Sequence, residues 1–151
     1  MTPGAETLIK TLSANDVGTT GGHQGGILVP RDPATLQFFP TLDASMLNPR
    51  EVMNFVDADN GEPLPLSFIH YNGKILGLSS RDEFRLTGMT RYLRVHGARA
   101  GDSIELSRPA NGRLSIAYRR ADEDAGSSVS EDTDIIVLSG TWKTIRGGRF
   151  T

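Results

Sequence analysis

Cysteine is absent from the 151 residues, so disulfides and thiolate metal sites are excluded and a reducing cytoplasm is the default compartment. Long apolar runs are also missing. The longest span four or five residues, as in "GILVP" and "DIIVL", far short of the roughly 20 that a membrane helix needs. The start, "MTPGAETLIK", has no basic stretch leading into an apolar one, so no secretory leader is expected. Lysine is nearly as scarce as cysteine: three lysines stand against thirteen arginines.

Known catalytic signatures are lacking too. After Gly21-Gly22 comes His23-Gln24, where a phosphate-binding P-loop would need Gly-Lys-Ser/Thr. Gly18, Gly21 and Gly22 do not fit a dinucleotide fingerprint, and there is no Gly-x-Ser-x-Gly elbow. His23, His70 and His96 share no metal-ligand spacing. A restriction-type nuclease centre often carries a carboxylate two positions before a lysine. Leu8, Asn72 and Thr141 occupy those positions before Lys10, Lys74 and Lys143, so a metal-dependent nuclease centre is not expected in this chain.

What is present suits one folded domain: 37% hydrophobic and 23% charged residues in a length that can bury a sizeable core. The formal charge of −2 hides an asymmetry. Residues 121–134, "ADEDAGSSVSEDTD", hold six acids and no base, and without those six acids the charge becomes +4. Arginine suits bidentate recognition of phosphates and base edges, although scattered surface arginines would give the same composition.

The apolar pattern is mostly of period two, which predicts a β-rich chain. Strands are expected over 7–12, 26–30, 51–57, 81–87 and 134–139. Two hairpins are expected, one turning at Asn72-Gly73 within "LSFIHYNGKILGLS" and one at Asn111-Gly112. Short helices are expected from Pro33 to Phe39, capped by Asp32, and from a Thr90 cap to a glycine stop. Eight or so short strands with two short helices suggest a closed or nearly closed barrel. The acidic segment is expected to be a solvated loop, and 144–151 a linker to a further domain.

Two stretches could carry recognition. In "RDEFRLT", strand alternation puts Arg81, Glu83, Arg85 and Thr87 on one face and Phe84 and Leu86 on the core side. Arginine can donate twice to guanine O6 and N7, and a carboxylate can accept from the cytosine amino group. A cross-strand salt-bridge ladder would use the same residues. In "SANDVGTTGGHQGG", Gly21, Gly22, Gly25 and Gly26 permit close backbone approach, while Asn15, Thr20, His23 and Gln24 offer polar side chains. A loop with no ligand could look the same.

"LSANDVGTTGGHQGGILVP" and "RDEFRLT", with weaker support from "HYNGK" and "GARAGDSIEL", closely resemble the N-terminal effector domain of the EcoRII-type restriction endonucleases. The resemblance implies a mainly β fold, a B3-like DNA-binding pseudobarrel of about seven or eight strands with two short helices. It further implies that two arms grip the major groove of double-stranded DNA and read a short C/G-rich site without cutting it. On this resemblance the N-terminal arm comprises Asn15, Asp16, Thr20, Gly22, His23 and Gln24, with His23 contacting a base. The C-terminal arm comprises Ser79, Arg81, Asp82, Glu83, Phe84 and Arg85, with Arg81, Glu83 and Arg85 as the base-reading trio. Asp82 stands where the family has Asn, Phe84 where it has a second basic residue, Leu28 where it has an aromatic and Ser79 where it has Lys. The remaining implications are a fused nuclease domain as partner, Mg²⁺ in that domain only, no cofactor for DNA binding and a prokaryotic cytoplasmic setting. Other readings of the residues are a self-contained hydrolase or nuclease, or a protein-interaction barrel whose acidic loop makes the contacts.

Overall fold

The computed structural model of the chain describes residues 5–18, 26–110, 112–121, 134–137 and 142–146. Nine strands form one sheet in the order β2-β5-β4-β3-β7-β6-β1-β9-β8. They are β1 Glu6–Thr11, β2 Ile27–Val29, β3 Arg50–Asp57, β4 Pro63–Tyr71, β5 Glu83–Thr87, β6 Ser103–Arg108, β7 Ser115–Arg119, β8 Asp134–Val137 and β9 Trp142–Arg146. Two helices, α1 Pro33–Leu36 and α2 Thr90–Val95, follow β2 and β5. This is the mainly β architecture with two short helices expected from the period-two pattern. No helix among the described residues is long and apolar enough to cross a membrane.

Alternation builds the interior. Leu8 and Lys10 of β1, Met53 and Phe55 of β3, Leu66 and Phe68 of β4 and Ile116 and Tyr118 of β7 all turn inward. Phe38 and Phe39, just past α1, add a pair of rings 5.3 Å apart. The sheet then curls on itself. Trp142 of β9 is buried and its indole N–H donates to the Leu28 carbonyl of edge strand β2 at 3.2 Å. That one bond ties together strands near opposite ends of the sheet order and occupies one carbonyl of the edge strand β2.

Local expectations differ from the structure at four places. Residues 74–79 form no strand after Asn72-Gly73. Asn72 is buried, its Oδ1 accepting from the Asn48 amide at 2.8 Å and its Nδ2 donating to the Met46 carbonyl at 2.7 Å. The side chain is spent on holding the preceding loop, and β4 pairs instead with β5, Tyr71 opposite Glu83. Second, Trp142–Arg146 is a strand between β1 and β8 rather than the start of a linker at 144, because buried Trp142 and Thr144 belong to the core side. Third, α1 ends at Leu36, and Asp32 contributes its carbonyl rather than a side-chain cap. Fourth, Met89 rather than Thr90 precedes the first turn of α2. The second hairpin forms as expected, β6 with β7, although Asn111 itself lies outside the described residues. Most of the acidic segment, 122–133, does too.

Asp102, just before β6, ties the end of β7 to the turn after α2. Its carboxylate accepts from the Ala121 amide at 2.9 Å, the Arg99 amide at 3.2 Å and the Tyr118 hydroxyl, and faces Arg120 at 3.3 Å. Burial alone would raise its pKa. The Tyr118 hydroxyl, the two amides and the Arg120 charge outweigh burial, so the group titrates below the usual carboxylate range. A folded pKa below the unfolded value of about 3.9 contributes stability that is present above pH 4 to 5 and lost as pH falls through the folded value. Urea unfolding between pH 7 and pH 3 should therefore show the parent losing stability below about pH 4, with a shallower acid limb in Asp102→Asn. Equal acid limbs would remove Asp102 from the account.

Candidate nucleic-acid interface

The candidate site lies on the outer face of β5 and its neighbours. Phe84 and Leu86 face inward while Glu83, Arg85 and Thr87 face out, as strand alternation requires. Register places Leu28 of β2 and Ile69 of β4 on either side of Arg85, and Tyr71 beside Glu83. Arg81, just before the strand, lays its guanidinium 3.9 Å over the Tyr71 ring.

The three charged side chains form one unit. The Glu83 carboxylate accepts from Arg85 Nε and, at 3.4 Å, from Arg81 Nη2. Burial pushes the Glu83 pKa up, but the bonds and charges of Arg85 and Arg81 outweigh it and hold the carboxyl below its ordinary value. Glu83 is therefore an ionised acceptor at neutral pH. A carboxylate has about four lone-pair sites and a guanidinium five N–H donors, so the mutual bonds leave capacity for a ligand. Holding each side chain through another lowers the rotamer entropy lost on binding.

Arg85 also reaches out of its own strand. Its Nη1 donates to the Gly26 carbonyl at 2.8 Å. Gly26 ends the glycine-rich segment and enters β2 at φ +93°, and a Cβ there would lie 2.5 Å from the Leu86 carbonyl oxygen. The charged row and the close of the glycine-rich loop are thus in direct contact across the β2–β5 pair.

The other end of that loop is pinned. The Ser13 amide donates to Asp16 Oδ2 at 2.9 Å and the Asp16 amide donates to Ser13 Oγ at 3.1 Å. Lys10, 5.9 Å over the Trp142 ring, sits 3.3 Å from the Asp16 carboxylate, both side chains nearly buried. Asp16, expected among the arm contacts, faces this internal lysine and shapes the loop base. Asn15 is exposed beside it. Thr20, Gly22, His23 and Gln24 lie outside the described residues.

Three C-terminal-arm candidates hold different positions. Ser79 is exposed and its hydroxyl accepts from the Arg81 amide at 3.4 Å. Phe84 points away from the charged row and belongs to an aromatic column. Phe39 stacks on Phe68 at 4.5 Å, Phe68 on Phe84 at 5.5 Å, and Phe84 on His70 at 4.1 Å. Asp82 caps the column: its carboxylate takes the His70 ring nitrogen at 3.0 Å and the Arg31 guanidinium. Those two bonds, His70 first, hold its pKa below the ordinary value. Arg31 and His70 were not apparent as site residues, because nothing local connects positions 31 and 70 to 82.

The chain is similar to known proteins along most of its length. A family model for the N-terminal part of restriction endonuclease EcoRII matches residues 1–95. The type II restriction enzyme EcoRII of Escherichia coli is 34% identical over 97 residues, covering 60% of this chain. The aligned part is 24% of that enzyme's length, so the chain corresponds to a small part of it. A crystal structure of the UbaLAI restriction endonuclease B3 domain with its cognate DNA superposes with a TM-score of 0.52 at 17% identity, covering 94% of this chain and 87% of that one. That likeness establishes the B3-like pseudobarrel. The family match spans the glycine-rich segment, the charged strand and the α2 helix together, and the chain belongs to the family of EcoRII N-terminal restriction endonuclease domains.

Proposed function

We propose that this chain is a sequence-specific double-stranded DNA-binding module of a type II restriction endonuclease. It reads a short C/G-rich site, CC(A/T)GG or a related pentamer, in the major groove through two arms and does not itself cut. Cleavage, with its Mg²⁺, belongs to a separate fused nuclease domain. The observation that carries this reading is the Arg81–Glu83–Arg85 unit, held ionised on the outer face of β5 and bonded to the end of the glycine-rich loop. A phosphate binder alone would gain nothing from Glu83, whereas arginine with glutamate matches the donor and acceptor pattern of G·C pairs. Family membership and the DNA-bound state of the UbaLAI B3 domain support the same reading.

A gel-shift panel of duplexes carrying different pentamers tests it. One C/G-rich pentamer should bind far more tightly than its scrambled form, and Mg²⁺ should yield no cleavage product. Arg81→Ala should weaken binding to that duplex by about 1–3 kcal/mol and narrow the gap to scrambled DNA. Equal binding to every pentamer would sink the proposal. Cleavage by the isolated chain would favour the reading of a self-contained nuclease.

A further inference from the structure

The C-terminal arm is electrically neutral by itself: Arg81 and Arg85 are matched one for one by Asp82 and Glu83. A neutral segment has little to gain from the phosphate charge that dominates DNA affinity. An additional cation arrives from outside both arm motifs. Arg31 follows β2 and crosses to β5, where its Nη2 meets the Asp82 carboxylate and donates to the Asp82 carbonyl at 2.8 Å. Its guanidinium lies 5.7 Å over the Phe84 ring, and the side chain stays 53% exposed. Among the described residues, Nε and Nη1 of Arg31 have no hydrogen-bond partner. Arg31 also lines, with Leu28 and residues 82–85, an open groove of about 310 Å³ alongside the charged strand.

We infer that Arg31 is a third DNA-contacting cation, at the β2–β5 edge beside the charged row, donating to a backbone phosphate of the bound duplex, and that Asp82 is its positioning residue rather than a base reader. The inference rests on the DNA-binding reading above. Two roles meet in one ion pair. Arg31 neutralises a carboxylate that would repel the phosphates, and Asp82, itself steadied by His70 on the aromatic column, holds the guanidinium in place. A planar fork with free N–H groups suits a phosphate well.

The test uses the preferred pentamer duplex and the full chain, titrated at salt concentrations between about 50 and 200 mM. Arg31→Ala should lower affinity roughly tenfold at low salt, and the slope of log K against log salt should flatten by about one unit. The double variant R31A/D82N should recover part of the affinity lost in R31A, because no unpaired carboxylate then faces the phosphates, while its slope stays flattened. Thermal unfolding of each variant separates folding from binding. Should R31A fail to fold, Arg31→Gln, which can still donate to Asp82 but carries no charge, replaces it with the same expected slope. An R31A affinity and slope equal to the parent's overturn the contact. A double variant no tighter than R31A overturns the neutralising role. Failure of the parent to prefer any duplex would count against the DNA reading itself and not against Arg31 in particular.

Discussion

Replacing Gly26 with alanine is expected to destabilise the domain by roughly 2–5 kcal/mol, combining a strained positive-φ backbone with overpacking against a neighbouring strand. The added methyl would lie 2.5 Å from the Leu86 carbonyl oxygen and 2.6 Å from Thr87 Cγ2. The carbonyl is backbone and cannot swing away, so β2 must move off β5. That movement breaks the Ile27–Leu86 register and draws the Gly26 carbonyl away from Arg85. Gly18→Ala is the control. It shares a positive φ of +81° but meets nothing within 4 Å, so only the backbone term of about 1–2 kcal/mol applies. Denaturant midpoints for the two variants check this. A Gly26→Ala loss no larger than that of Gly18→Ala would show that β2 is not held against β5 as described.

Arg85→Ala should have the largest effect on binding. Loss of a bidentate base contact costs about 1–3 kcal/mol by itself. Here the same guanidinium also donates to Glu83 and to the Gly26 carbonyl, so its removal releases both at once. The affinity loss should exceed that of Arg81→Ala, which sits on Tyr71 and lends Glu83 a single longer bond of 3.4 Å. Discrimination between the preferred and scrambled pentamers should shrink in Arg85→Ala, and Arg85→Lys should not restore it, because an ammonium lacks the planar fork. If Arg85→Ala lowers the melting temperature but leaves that discrimination intact, the residue is structural. The charged row would then be the salt-bridge ladder that its composition equally allows.

Taken alone, the sequence determined a great deal about this protein. Period-two alternation was enough to place most strands and to sort residues 83–87 into an outer charged row and an inner Phe84 and Leu86. The absence of cysteine excluded disulfides and thiolate ligands, and the two motifs pointed to the family whose model matches residues 1–95. Such features are legible because they depend on neighbours two or three positions apart.

Tertiary structure decided the rest, because the deciding partners are distant in the chain. Asn72 has the local chemistry of a hairpin turn, yet burial against the loop at 46–48 gives its amide two better bonds. Trp142 reads locally as part of a trailing segment. Only the curl of the sheet brings its N–H to Leu28, 114 residues away, and makes β9 part of the barrel. Arg31 meets Asp82 across 51 positions, and Arg85 meets Gly26 across 59. A local pattern states which face a side chain occupies. It carries no information about which cation, carbonyl or ring the folded sheet will deliver to that face, and for this protein those deliveries join the charged strand to Gly26 and to Arg31.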